Sequence, residues 1–395
     1  MLCEKNTKLD TMKQFTKLSI ALVPMLGVFS ATQAAISLGE DASLFVSASA
    51  SARSESNVLL THSNEVSDTA YTFTPGVDLT LGRPGMSDIC ANASYRFHFI
   101  TYADNSDLNA NDNEASASMS YNGASVDIKG YASYVEAQTN TQLFNISTWD
   151  YEPGKVDRSI LNASAYSEVE VGPKTKLGVG VSYLDQNYKL SGYTDYSTLT
   201  IPVDVYYSIS PKIDLTVDGS YRFVTVGDND EDMADTSLMV GIRGVITPKI
   251  SGFIRAGYVS RDAKDTGLSE DSGLSFNGDL SYAINPKASL GLSLFRDLSI
   301  SPVSANTTQR TGFALKGSYS ISKTIALRGS VTYYTTDYQG IDRDDDYTVA
   351  GVGATYSPNK YMTISADYNG VMNDSNVQSV DYKDNVLQVA VSVRY

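Results

Sequence analysis

The sequence predicts an all-β fold: a closed, up-and-down antiparallel transmembrane β-barrel of about 18 strands, 16 being the lower count. Three observations predict it. An export signal opens the chain, long stretches alternate apolar and polar residues with period two, and the connections alternate between short Pro-Lys turns and longer acidic loops. Each is taken below in chain order.

Lys13 and Lys17 precede an apolar run from Leu18 to Phe29 that ends at Thr32-Gln33-Ala34. A positive flank, a short apolar stretch and a small-x-small site form a cleavable secretory signal, and the run is too short to cross a bilayer as a helix. Residues 1–34 are read as this signal, complete even if translation starts at Met12, and residues 35–395 as the barrel. Cys90 is then the only cysteine of the processed chain.

Beyond Ala35 no apolar run approaches the ~18 residues of a spanning helix. Alternation replaces it. From Ile213 to Phe223, one face carries Ile213, Leu215, Val217, Gly219, Tyr221 and Phe223, and the other Asp214, Thr216, Asp218, Ser220 and Arg222. Successive side chains of a strand point to opposite faces, so this is one strand with an apolar and a polar side. Leu199 to Tyr207, Leu274 to Ile284 and Leu387 to Tyr395 repeat the pattern. Strands of about 9 to 13 residues exceed the usual soluble length and fit a membrane crossing. Closure removes the two raw edges of such a sheet, and hydrocarbon makes it obligatory.

Gly172-Pro173-Lys174, Ser210-Pro211-Lys212, Thr247-Pro248-Lys249, Asn285-Pro286-Lys287, Ser322-Lys323 and Ser357-Pro358-Asn359-Lys360 recur at a spacing of about 37 residues, the length of one hairpin. Between them lie polar segments such as Asp228–Asp232 and Asp342–Asp346. Short turns therefore sit at the periplasmic end and acidic loops outside. The acidic runs begin like calcium loops but lack the Gly and the bidentate Glu, so they read as solvated loops. The turn lysines are placed to snorkel toward phospholipid headgroups.

Tyrosine position separates the barrel from a soluble secreted β-sandwich, propeller or solenoid. Tyr183, Tyr221 and Tyr258 lie ten residues beyond a turn proline, Tyr333 ten beyond Lys323, and Tyr368 ten beyond Pro358; only Arg296 breaks the series. Tyr207 and Tyr282 lie four residues before a turn proline, and Tyr319 four before Lys323. All fall on apolar faces, giving two interfacial belts; a soluble core has no reason to place Tyr at both rims. The signal, the repeated hairpins and the terminal aromatic Tyr395 resemble Gram-negative outer-membrane β-barrels. Length and strand count further resemble the putative β-barrel porin-2 group. That resemblance implies Tyr395 as an assembly signal read by the barrel-assembly machinery, outer-membrane lipid and lipopolysaccharide as surroundings, and polysaccharide-export components as partners.

A barrel of this size encloses water. The registers direct Arg96, His98, Lys129, Asp218, Arg222, Arg243, Arg255, Lys316 and Arg328 inward as candidate pore lining. Inward cations and acids balance, which predicts no strong ion selectivity. Residues 138–156 form the longest connection, and Phe144, Trp149 and Tyr151 mark it as a candidate constriction with a sugar-stacking surface. A porin-like channel for hydrophilic solutes, saccharides or exported polysaccharide among them, is the expected function. A structural or adhesion barrel without conductance is the alternative. A barrel hydrolase is disfavoured because His98 and His62 lack a nucleophile elbow or a metal cluster beside them. No catalytic residue, cofactor or metal is expected, and an acidic chain of net charge −15 lacks the field for nucleic acid.

Overall fold

A computed structural model describes residues 36–39, 41–83, 86–138, 156–189, 193–227, 231–263, 271–300 and 307–395. A two-residue β1 (Ile36–Ser37) precedes β2 (Ala42–Glu55), β3 (Asp68–Leu81), β4 (Ile89–Tyr102), β5 (Ala110–Asn122), β6 (Val126–Gln138) and β7 (Asp157–Glu170). There follow β8 (Thr175–Tyr188), β9 (Tyr196–Ser210), β10 (Ile213–Val226), β11 (Glu231–Thr247), β12 (Ile250–Asp262) and β13 (Asp271–Asn285). The wall ends with β14 (Ala288–Ile300), β15 (Thr307–Ser320), β16 (Ile325–Tyr338), β17 (Asp344–Tyr356), β18 (Met362–Ser375) and β19 (Tyr382–Arg394). From β2 onward each strand pairs antiparallel with the next, and β19 returns to pair with β2 from Val386↔Glu55 to Arg394↔Ser47. The result is a closed 18-strand barrel, as the sequence predicts. β1 folds back on the start of β2 through Ile36↔Leu44, extending the edge that β19 leaves at Ser47.

The turn sequences close themselves. In Ser210-Pro211-Lys212-Ile213, the Ser210 hydroxyl oxygen accepts the amides of Lys212 and Ile213 at 3.2 and 3.1 Å. Thr247 does the same for Lys249 and Ile250, and the Asn285 side-chain oxygen accepts the Lys287 amide at 2.8 Å. A short side-chain acceptor before Pro is thus as much a part of the repeat as the Pro itself. At the β11–β12 end two glycines, Gly244 and Gly252, face each other with φ of 127° and 145°, where a Cβ would meet a backbone carbonyl oxygen at 2.0 or 1.9 Å.

Partners across a ladder share a face, so the registers sort the wall. Leu238, Tyr258 and Leu274 form one outward row, and Arg222, Asp235 and Arg261 one inward row. Along β10 the outward Leu215, Val217 and Tyr221 are exposed while the inward Thr216 and Asp218 are buried. Apolar exposure on the outside is contact with lipid, which makes the outer face a solvent-matched surface rather than a defect.

Candidate pore interior

The registers put the predicted lining residues on the inner face, opposite the tyrosines. Arg96 Nη2 meets Asp78 Oδ1 at 2.5 Å, and Asp78 Oδ2 also receives Arg394 Nε at 3.3 Å, linking β4, β3 and β19. Arg243 is clamped between Glu168 (2.7 Å) and Asp214 (2.9 Å), its guanidinium 3.5 Å from the centre of the Tyr206 ring. Arg255 approaches Asp218 at 3.3 Å, and Arg328 holds Asp367 through Nε at 2.7 Å and Thr355 through Nη1 at 2.6 Å. Lys129 faces Ser120 and Tyr166 across its two ladders, and Lys316 faces Gly291 and Ser330. His98 Nδ1 bonds Thr74 Oγ1 at 3.0 Å, but its Nε2 stands 3.8 Å from Glu114, beyond hydrogen-bond reach.

Sequence reading placed Arg222 inward but missed its partners. Arg222 Nε reaches Asp235 Oδ2 at 2.6 Å and Nη1 reaches Asp297 Oδ2 at 3.1 Å; Arg261 Nε reaches the other oxygen of Asp235 at 2.6 Å. Asp235, Arg261 and Asp297 sit near the external ends of strands, where polar residues look like loop. Most of the predicted cations therefore stand against a carboxylate, so the balance of charge inferred from counting is realised as local neutralisation. Tyr131 was also missed. It shares the inner face with Ser118 and Ser164, is 48% exposed, and sits on the same strand as Lys129. Inward registers around it place small polar groups such as Asn92, Ser116, Ser133 and Asn162.

The predicted constriction, Phe144, Trp149 and Tyr151, lies outside the described residues. Two other segments turn inward toward the external end. The first connection, residues 56–67, buries Asn57 and Val58 and packs Leu60 on an inner-face cluster of Phe295, Ala314, Tyr334, Tyr347 and Tyr382. Leu60 holds φ at 52°, a conformation costing about 1 kcal/mol or more for a branched side chain, so packing must stabilise it. The Val58-Leu59-Leu60 run, apolar inside a polar connection, was the legible signal. The second segment is the β14–β15 end: Leu298 and Ile300 are 2% and 3% exposed, and Ile300 packs with Tyr196, Val224, Val226 and Met233 from β9–β11.

The belt tyrosines face outward. Tyr183, Tyr221, Tyr258, Tyr333 and Tyr368 form the external row and Tyr207, Tyr282 and Tyr319 the periplasmic one. All but the half-buried Tyr333 are exposed. Tyr395 is the last rung of closure, exchanging backbone hydrogen bonds with Val46 at 2.9 Å in both directions.

Several acids of the external end are fasteners. Asp384 Oδ1 accepts the amides of Ser56 and Asn57, both at 2.9 Å, and the Ser56 hydroxyl at 3.0 Å. Asp68 accepts the amides of Asp104 (3.2 Å) and Asn105 (2.8 Å) and the Asn105 side chain at 2.8 Å. Desolvation pushes the Asp68 pKa up, but the Asn105 side chain and the amides of Thr69, Asn105 and Asp104 outweigh it and hold the carboxyl below its ordinary value. Asp345, read as part of a solvated acidic loop, is buried on Arg343 at 2.5 Å and takes the Tyr338 hydroxyl at 3.1 Å. Among the described residues no group of acids, His or Cys could hold a metal ion.

A closed antiparallel wall, a lipid-matched exterior with two aromatic rows and a charged interior are now in place. Residues 245–395 match the family Putative beta-barrel porin 2. With that porin match the chain is an outer-membrane β-barrel of the Gram-negative type. No curated protein matches it. Among solved structures it is similar to OccAB4 of Acinetobacter baumannii, with 9% identity over 90% of this chain and 98% of that one and a TM-score of 0.48. The outer membrane channel DcaP of Acinetobacter baumannii aligns with 13% identity over 92% of this chain and 100% of that one, at a TM-score of 0.44. A mutant of the ferric enterobactin receptor PfeA from Pseudomonas aeruginosa aligns with 8% identity over 89% and 80%, at 0.47.

Proposed function

We propose that this porin-like barrel is a passive channel for neutral hydrophilic solutes, with saccharides as the preferred class. The observation that carries it is the state of the inner charges. Arg96, Arg222, Arg243, Arg255 and Arg328 are each held by a carboxylate, which leaves little net field to draw an ion through. The β4–β7 side instead offers hydroxyls, amides and the exposed ring of Tyr131. An aromatic face beside hydrogen-bonding groups suits the apolar face and hydroxyl rim of a sugar ring. The resemblance to exopolysaccharide-linked barrels extends the same reading to an exported polysaccharide chain.

Reconstitution into planar bilayers tests it. Single-channel currents in a salt gradient should reverse near zero, and a titrated oligosaccharide should block them. Tyr131→Ala should weaken block by about tenfold, equivalent to ~1.4 kcal/mol. Strong ion selectivity, or block unaltered by Tyr131→Ala, refutes the proposal. A second reading, a structural barrel without conductance, is favoured by the packing of Leu60 and Ile300 on inner-face clusters; a silent bilayer with correctly folded barrel would establish it.

A further inference from the structure

One joint of the wall is split. The β13–β14 ladder stops at Phe276↔Arg296; beyond it, Asp271–Ser275 run beside β12 alone and Asp297–Ile300 beside β15 alone. The β7–β8 ladder, by contrast, holds from Arg158↔Tyr188 to Glu170↔Lys176. Backbone groups left bare at membrane depth are costly, so a spanning wall normally keeps its ladders intact. In the fork, side chains take over as donors. Ser275 Oγ donates to the Arg296 carbonyl at 2.6 Å, Arg222 Nη2 to the Leu298 carbonyl at 3.0 Å, and Arg261 Nη1 to the Ser299 carbonyl at 2.8 Å. Such donors can swing aside one by one, whereas a ladder separates only as a unit.

The fork has a height and two sides. Leu274 pairs with Tyr258 of the external aromatic row, so the split begins where the outer leaflet's headgroups meet its acyl chains. Outside it stands Leu274, 71% exposed to lipid. Inside stands the apolar patch of Tyr196, Val224, Val226, Met233 and Ile300. Between them lies a polar latch: Arg296 Nη2 donates to Gln309 Oε1 at 2.7 Å, and the Gln309 amide nitrogen sits 3.5 Å from where a Cβ on Gly273 would be. Arg296 breaks the tyrosine series because β14 leaves the lipid-facing wall at that residue.

We propose that the β13–β14 fork is a lateral portal, through which the hydrocarbon tail of a single-chain amphiphile passes between the outer leaflet and the apolar patch inside the barrel. This activity is separate from aqueous passage and does not rest on it.

The test uses the full chain in phosphatidylcholine vesicles containing radiolabelled lysophosphatidylcholine, with Cys3→Ser and Cys90→Ser as background. A photoreactive phenylalanine analogue replaces Ile300 on the inside or Leu274 on the outside, and heat-modifiable gel mobility verifies folding. Where the Ile300 variant does not fold, Val226 of the same patch carries the probe. The fork is then closed by joining Gly273→Cys to Gln309→Cys with a short thiol-reactive linker. The portal predicts lipid capture at position 300 that falls at least tenfold on closure, capture at 274 that does not, and unchanged single-channel conductance. Capture at 274 without capture at the inner position overturns the proposal. So does inner capture that survives closure, since the lipid would then enter by the mouth.

Discussion

Removing the Asp384 carboxylate should free the first external connection. Its Oδ1 alone receives two backbone amides and one hydroxyl from Ser56 and Asn57, and the residue is 3% exposed. Hydrogen bonds to a charged acceptor contribute roughly 1.5–3 kcal/mol each, but the three share one oxygen and the freed groups regain water. A net loss of about 3 kcal/mol is a reasonable magnitude for Asp384→Ala. At ~1.4 kcal/mol per tenfold, the opened population of residues 56–61 should rise by about two orders of magnitude. Amide hydrogen exchange reads this directly at Asn57, whose amide donates to Asp384; the Ser56 amide also donates to the Asn385 carbonyl at 3.1 Å and should respond less. Asp384→Asn keeps an uncharged acceptor, so its exchange should fall between that of the wild type and Asp384→Ala. Release would also lift Leu60 off its aromatic cluster and raise single-channel conductance. The reasoning fails if exchange at Asn57 is unchanged in a folded Asp384→Ala barrel, or if the two variants behave alike.

Two further outcomes follow from the charge arrangement. Asp235→Asn leaves Arg222 and Arg261 without their shared carboxylate, a break in a buried network that should cost roughly 3 kcal/mol and lower the heat-modifiability midpoint by several degrees; an unmoved midpoint would show that lumen water screens the pair. Asp68 concerns pH. Its folded pKa lies below the unfolded value, so its stabilisation is complete above the ordinary carboxylate range and disappears as pH falls through the folded value. Protease resistance of residues 103–109 should therefore persist at pH 5 and collapse only in stronger acid. Asp68→Asn should remove most of that dependence, and a collapse already at pH 5 would contradict the assignment.

The wall was legible because its rule is local: period two fixes the face, and a repeat of about 37 residues fixes height, so Tyr183, Tyr221 and Tyr258 align from sequence alone. Arg296 was legible as an exception but not as a cause, since the departure of β14 depends on what β10 and β12 offer its carbonyls. The acidic loops were misread for a related reason. Solvated and buried carboxylates have the same composition, and the partners of Asp384 lie at Ser56 and Asn57, at the far end of the chain. Likewise Val58-Leu59-Leu60 carried a signal, but while Val58 and Leu59 pack close by with residues of β3–β5, Leu60 crosses to five strands' worth of inner face, a destination set by closure and not by neighbouring residues.

The β2–β19 ladder gives the chain an unusual order of events. The other joints of the wall are hairpins between sequence neighbours and can zip as soon as both strands exist, a short loop-closure cost each time. The last joins β2 to β19 and so cannot begin until β19 has been made. Until then β2 and β19 are open edges, able to pair with any strand they meet. β19 is therefore a timing device as well as a piece of wall: the first strand must stay unpartnered until this one arrives.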